Sequence, residues 1–272
     1  MRKTILFSLL VLSCSHSFAK SFKVHKPKLS GFYVQWGYNR DWFTRSNLHF
    51  SKDGAYDFKL HNSKAKDQPD FSAFRDAPLE ITIPQNSYRI GAYLNQEHTW
   101  AIEINFDHAK YVMLNDQNLR ITGQINGQQM DKDTIVNYNF VHLEHTDGAN
   151  FYHVNYVYQN ILKRTRKSKR TLATCLAKVG AGIVVPRSEV TLFGKKLNNR
   201  YHVAGYVVGV ELGSRIYPLK NFFLEANVKA GYANYLNALA VEGGKLSHSF
   251  GYAEVIGLIG YDINLPFKKK RA

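Results

Sequence analysis

Two short runs carry the residue types from which acid–base chemistry is built. Asp107-His108-Ala109-Lys110 and Glu144-His145-Thr146-Asp147 each set a histidine beside carboxylates. An imidazole titrates near neutrality and a carboxylate can orient it, so the two runs brought together would make an acid–base pair or a weak metal site. Kept apart, they are turn or interface segments, and Asp147-Gly148 is itself a hairpin-turn signal. Two separate dipeptides lack the convergent geometry of a site. The expectation is therefore a polar cluster with no catalytic residue, cofactor or metal assigned. A third run, Lys163, Arg164, Arg166, Lys167, Lys169 and Arg170, is the densest block of charge in the chain. It is expected as a solvated basic turn; on the opposite side of the fold it would face anionic phosphates.

The elements that must position these residues follow a period of two. Trp100, Ile102, Ile104 and Phe106 alternate with Ala101, Glu103, Asn105 and Asp107, which is the spacing of a β-strand. The same alternation runs through Phe32, Val34, Trp36 and Tyr38; Tyr56, Phe58 and Leu60; Tyr88, Ile90, Ala92 and Leu94; and Tyr152, Val154, Tyr156 and Tyr158. It continues through Cys175, Ala177, Val179, Ala181 and Ile183, then Tyr206, Val208, Val210 and Leu212, and Phe222, Leu224, Ala226, Val228 and Ala230, to Val255, Ile259, Tyr261, Ile263, Leu265 and Phe267. Ten strands are expected, at 31–40, 54–62, 86–95, 98–107, 134–144, 151–159, 172–185, 201–217, 221–235 and 248–265. Residues 66–85 and 108–133 are expected as connectors, with a further strand open at 119–125.

Residues 1–19 have a basic start (Arg2, Lys3), a short apolar core and small residues before Lys20, the pattern of a secretory signal peptide cleaved after Ala19. The apolar run is too short to span a bilayer as a helix. Cleavage would remove Cys14 and leave Cys175, so the mature domain is not expected to rest on disulfides. It would also remove two of the 36 basic residues and none of the 21 acidic ones, taking the net charge from +15 to +13. Such a balance favours anionic surfaces. Export makes lipid the expected partner and not nucleic acid.

The second face of each strand decides between a soluble sandwich and a barrel. A sandwich exposes its polar face to water, where long charged side chains are cheap. Here those faces hold glycine and small polar residues with single charges of both signs: Arg89, Glu103, Lys178, Glu211, Arg215, Glu225, Lys229 and Glu254. Such a set can pair inside a narrow lumen while the Tyr, Phe, Val and Ala faces meet lipid, the dyad pattern of a transmembrane β-barrel. Closure also removes the edges that a long exported β chain would expose. The fold expected is all-β, an up-and-down antiparallel transmembrane β-barrel of about ten strands over residues 31–267. A short segment 20–30 precedes it and a basic tail 268–272 follows.

The C-terminal GLIGYDINLPF resembles the last strand of Gram-negative outer-membrane barrels, with Gly260, Ile263, Leu265 and Phe267 at the places of the family's glycine, alternating apolar residues and terminal aromatic. The tail KKKRA departs from that pattern, since family members often stop at the aromatic. Segments NFDHAKYVM and LEHTDGANF look like those of an uncharacterised group of such barrels. The resemblance implies location in the outer membrane, contact with its lipid and lipopolysaccharide, insertion by the barrel machinery and a monomer. It carries no activity with it. A structural, adhesive or surface-binding role without a wide pore is expected, because so few strands leave little lumen once side chains fill it. The alternatives are a lipid A-modifying barrel enzyme and a soluble periplasmic lipid carrier. His248-Ser249, adjacent in sequence, would fall on opposite faces of a strand.

Overall fold

The structure is a computed structural model that describes residues 28–76, 79–81, 84–198 and 200–266. The expected signal peptide, its cleavage point, most of segment 20–30, Phe267 and the tail 268–272 lie outside the described residues.

Eight strands close a ring: β1 (Gly31–Phe43), β5 (Asn86–Tyr93), β6 (Trp100–Asp107), β11 (Phe151–Arg164), β12 (Thr171–Val184), β15 (Gly205–Ile216), β16 (Phe222–Leu239) and β17 (Lys245–Asn264). Each pairs antiparallel with the next, and β1 returns to β17 from Gly31↔Asn264 to Phe43↔Tyr252. The ring therefore has no open edge. Of the ten expected strands, these eight form the barrel. The other two, 54–62 and 134–144, belong to a cap above it.

Alternation assigns the faces. On β6, Ala101, Glu103, Asn105 and Asp107 are buried in the lumen while Ile102 and Ile104 are exposed on the outside. Val34, Ile90, Val154, Val179, Val210, Val228 and Ile259 continue that apolar outer face around the ring. Close packing of inward side chains needs glycine opposite them. A Cβ on Gly180 would stand 1.8 Å from Asn155 Oδ1, its partner across the strands.

The connections differ by end. At one end the turns are short, at 94–99, 165–170 and 217–221. There Asn95 Oδ1 accepts from the backbone N–H of Thr99 and Trp100 at 2.9 and 3.1 Å, which fixes the β5–β6 hairpin. At the other end three long connections build the cap. The first supplies β2 (Ser46–Lys52), β3 (Tyr56–Ser63), β4 (Ala65–Asp67) and a single helical turn, α1 (Ala73–Asp76). The second supplies β7 (Tyr111–Met113), β8 (Gln117–Ile125), β9 (Gln128–Val136) and β10 (Val141–His145). The third supplies β13 (Glu189–Leu192) and β14 (Lys195–Asn198). The stretch 119–125 is thus a strand; connector 108–133 contains β7, β8 and most of β9, while 66–85 remains a connector apart from the end of β4.

The cap has two sheets. β2, β3, β8 and β9 extend the barrel sheet outward from β17 at Lys245–Ser247. β4, β7, β10, β13 and β14 form a separate sheet. Leu48, Phe50, Phe58 and Leu60 pack with Tyr111, Leu143, Val190 and Leu192, and with Tyr235 and Phe250 from the upper barrel, in one apolar core. Tyr56, Phe58 and Leu60, expected on a lipid-facing strand, lie in this core instead. The Asp147-Gly148 turn is also not a hairpin. Gly148, at φ +114°, turns the chain from cap strand β10 into barrel strand β11.

The face assignment makes a prediction. Ile104→Lys, at mid-strand on the apolar outside, should cost folding into detergent or lipid about 2–4 kcal/mol. Phe106→Lys, near the strand end, should cost much less. Equal refolding yields for the two would contradict the assignment.

Candidate functional site

The lumen is filled in layers. At the short-turn end, Tyr33, Tyr93, Tyr217 and Phe223 form an aromatic floor with Ala101, Val157 and Leu176. The Arg215 guanidinium lies 3.9 Å from the Phe223 ring centroid and 4.7 Å from that of Tyr33, close enough for cation–π attraction. It also pairs with Glu225 at 2.7 Å.

Above the floor runs a buried charge network. Lys178 lies 3.1 Å from Glu103, 3.0 Å from Glu211 and 2.9 Å from Glu225. Arg89 meets Glu211 at 2.6 Å and Glu103 at 3.4 Å. Higher still, Lys229 holds Asp107 at 2.5 Å and lies 3.8 Å from Glu254. Four buried cations thus face seven buried carboxylates, with Asp41 and Asp262 completing the acidic set. Amide donors meet much of the excess: Gln35 to Glu225 (2.7 Å), Asn155 to Glu103 (3.0 Å), Asn39 to Glu254 (2.6 Å) and Gln85 to Asp41 (2.7 Å). A charge left alone in such a site would cost several kcal/mol, so removing one partner does more damage than removing both. The eight sequence-designated lumen charges all line this interior. Their partners differ from simple sequence neighbours: Glu225 pairs with Arg215 and Lys178, while Lys229 pairs across the lumen with Asp107.

The two histidine–carboxylate runs lie at the same end, where barrel meets cap, but their side chains go to different partners. Asp107 points into the lumen. His108 Nδ1 lies 2.9 Å from Asn150 Oδ1. Lys110 reaches Asp70 at 2.5 Å. Glu144 contacts His142 Nε2 at 2.6 Å, and this contact holds its carboxyl below the usual range. Asp147 pairs with Arg187 at 3.2 Å near the surface. His145 turns inward to a cluster that sequence spacing did not reveal. Its Nδ1 lies 2.8 Å from Ser188 Oγ and its Nε2 lies 3.0 Å from His248 Nε2, while His248 Nδ1 lies 3.4 Å from Ser46 Oγ. Four segments up to 202 residues apart supply this chain of contacts, and Tyr235 stacks on both rings. Burial pushes the His145 imidazole down to about 3. No group of three or more metal-binding side chains occurs among the described residues.

The basic run is the β11–β12 turn at the end away from the cap. Lys163, Arg164, Arg166, Lys167 and Lys169 are exposed there. Arg164 and Arg170 border a cavity of about 410 Å³ that also meets His98, Tyr217, Lys220 and Asp262. The aromatic floor lies directly above it.

No family model matches the chain, and no curated protein does. Among solved structures it is similar to neisserial surface protein A, at 12% identity over 86% of this chain and 98% of that one, with a TM-score of 0.38. It is similar to the outer membrane protein OprG from Pseudomonas aeruginosa at 11% identity, over 89% and 100% of the two chains, with a TM-score of 0.41. It is also similar to the outer membrane protease OmpT from Escherichia coli at 7% identity, over 89% and 99%, with a TM-score of 0.37. The closed antiparallel ring is established by its own strand register, and no role passes to this chain from these proteins.

Two predictions follow from these contacts. Asp107→Asn and Lys229→Met should each destabilise the barrel by about 3–5 kcal/mol, and the double variant by clearly less than their sum. Unfolding of the detergent-solubilised protein measures this, and strict additivity would deny the pairing. The second concerns pH. The unfolded chain protonates His145 near its ordinary 6.5, the folded cap only near 3. Unfolding therefore takes up a proton between those values. Stability from this group is complete above 6.5 and falls by about 1.4 kcal/mol per pH unit on acidification. Limited proteolysis of the cap should accelerate from pH 6.5 downward, and less steeply in His145→Gln. Equal slopes for both proteins would contradict this.

Proposed function

We propose that this protein is an outer-membrane β-barrel whose sealed lumen anchors a folded surface module with a structural, adhesive or surface-binding role. One observation carries the reading. The ring is apolar outside and lined with buried, mutually paired charges inside, the inverse of a soluble β-sandwich. The short turns would then lie on the periplasmic side and the nine-strand cap outside the cell, as the loop-length asymmetry of outer-membrane barrels requires. Export by the signal peptide, insertion by the barrel machinery, and contact with outer-membrane lipid and lipopolysaccharide belong to the same reading. The basic turn 163–170 would face the periplasm.

The packed lumen argues against general diffusion, because open channels need many more strands than eight. It also leaves a periplasmic carrier no apolar cup for lipid. The lipid A-modifying alternative draws on the two Ser–His contacts, Ser188–His145 and Ser46–His248. All four residues are buried between cap and barrel, so a lipid substrate would reach them only through an opened cap.

The mature protein should fractionate with outer membranes, migrate faster unheated than boiled in detergent gels, and give no steady conductance in planar bilayers. Recovery in the soluble periplasm would overturn the location. Altered lipid A acylation in cells lacking the protein, reproduced by His145→Ala, would replace the surface-binding role with the enzymatic one.

A further inference from the structure

The connection between β4 and β5 is tied at its neck and apolar at its tip. Gln85 donates its backbone N–H to Pro69 O at 3.0 Å. Asp70, at φ +53°, accepts from Lys110 at 2.5 Å. The connection's single helical turn α1 buries no residue. Phe71, Phe74, Leu79 and Ile81 are 36, 42, 92 and 47% exposed. Four large apolar side chains clustered on one surface loop are costly in water and mark an interaction surface.

The loop's position identifies what it meets. Tyr38 stands on the outer face of β1, in line with Phe32, Val34 and Trp36. Its hydroxyl donates to Ile81 O at 3.0 Å, and its ring meets Phe74 edge-on at 5.0 Å and Phe71 at 6.3 Å. Phe71 and Phe74 stack at 6.1 Å. The loop therefore folds down against the outside wall of the barrel and does not project with the cap. Its apolar side chains are continuous with the outer apolar face. Tyr38 and Trp36, themselves in edge contact at 5.0 Å, are the residue types that settle at a membrane–water boundary. Arg40, next outward on β1, and Arg75 on the loop keep exposed side chains at this level, within reach of lipid phosphates.

We propose that Phe71, Phe74, Leu79 and Ile81 form a membrane-interface anchor. Phe71, Phe74, Leu79 and Ile81 enter the boundary between head groups and acyl chains of the outer leaflet, and the loop fixes the height and rotation of the cap over the membrane. Its occupant is lipid, bound as an interfacial amphipathic segment binds it. The inference rests on the outer-membrane reading above.

The test places photoreactive benzoylphenylalanine singly at Leu79, at Val210 on the outer face of β15, and at Ile135 in cap strand β9. Each full-length variant is expressed, checked for heat-modifiable folding, and irradiated in the cells' own outer membranes. The probe at 79 replaces a 92% exposed side chain, so it leaves packing undisturbed. Adducts are identified by mass spectrometry. The expected result is lipid adducts at 79 and 210 and none above background at 135. Lipid at 210 with none at 79, or a protein adduct at 79, overturns the anchor while the barrel reading stands. Absence of lipid at 210 overturns the membrane reading and the anchor with it.

Discussion

Everything in this molecule depends on a narrow closed ring whose inward side chains can satisfy only one another. Lys178 sits among Glu103, Glu211 and Glu225 on three different strands, so besides its neighbour β15 it ties β12 to β6 and β16, with which β12 shares no ladder. Buried ion pairs are weak evidence for stability in themselves, because desolvation offsets much of their attraction. Their physical consequence is specificity of register. A one-residue slip of any strand would turn its charges outward and its isoleucines and valines inward. With charge on the apolar outside costing kcal/mol per residue, the aligned register is separated from its alternatives on both faces at once.

The same network explains the division of labour along the axis. The aromatic floor around Arg215 lies at one end of the lumen and the cap core at the other. The cap is not a set of loose loops. It has its own apolar core, and it is joined to the barrel where β17 runs on beyond the ring to pair with β2. At the junction the His145–His248 contact and its serines are buried, with the Tyr235 ring stacked on both imidazoles. Burial opposes protonation of the His145 imidazole in the folded cap.

Much of the barrel was legible because alternation is local. Trp100 to Asp107 announces its two faces in eight residues, and the charges on its inner face could be named before any partner was known. Alternation does not say what lies beyond the apolar face, and there the sequence misleads. Tyr56, Phe58 and Leu60 have the pattern of Tyr206, Val208 and Val210, yet the first set meets a second sheet and the other faces outward. Only the long-range register separates them. The histidine cluster was half visible. The sequence sets His145 beside acidic neighbours, but its partners in the fold are His248, 103 residues away, and Ser188, 43 residues away. Glu144 and Asp147 pair instead with His142 and Arg187. Sequence proximity is a poor guide to contact when long loops fold into sheets of their own. Connector 108–133 hides β8 and most of β9, whose faces mix buried apolar and exposed polar residues without the regular charge-bearing inner face of a barrel strand; connector 66–85 holds only the end of β4 and one helical turn.

The central claim is that β1 and β17 close the ring in one register. Proton–proton contacts between these strands in nuclear magnetic resonance spectra of the detergent-solubilised protein test it most directly. The account predicts contacts across the pairs Val34↔Tyr261, Trp36↔Ile259 and Asp41↔Glu254, with amides of both strands protected from exchange. Absent contacts between the two strands would mean an open sheet. A register displaced by one residue would turn Asp41 or Glu254 out of the lumen. Either result would contradict a closed barrel with its charges inside.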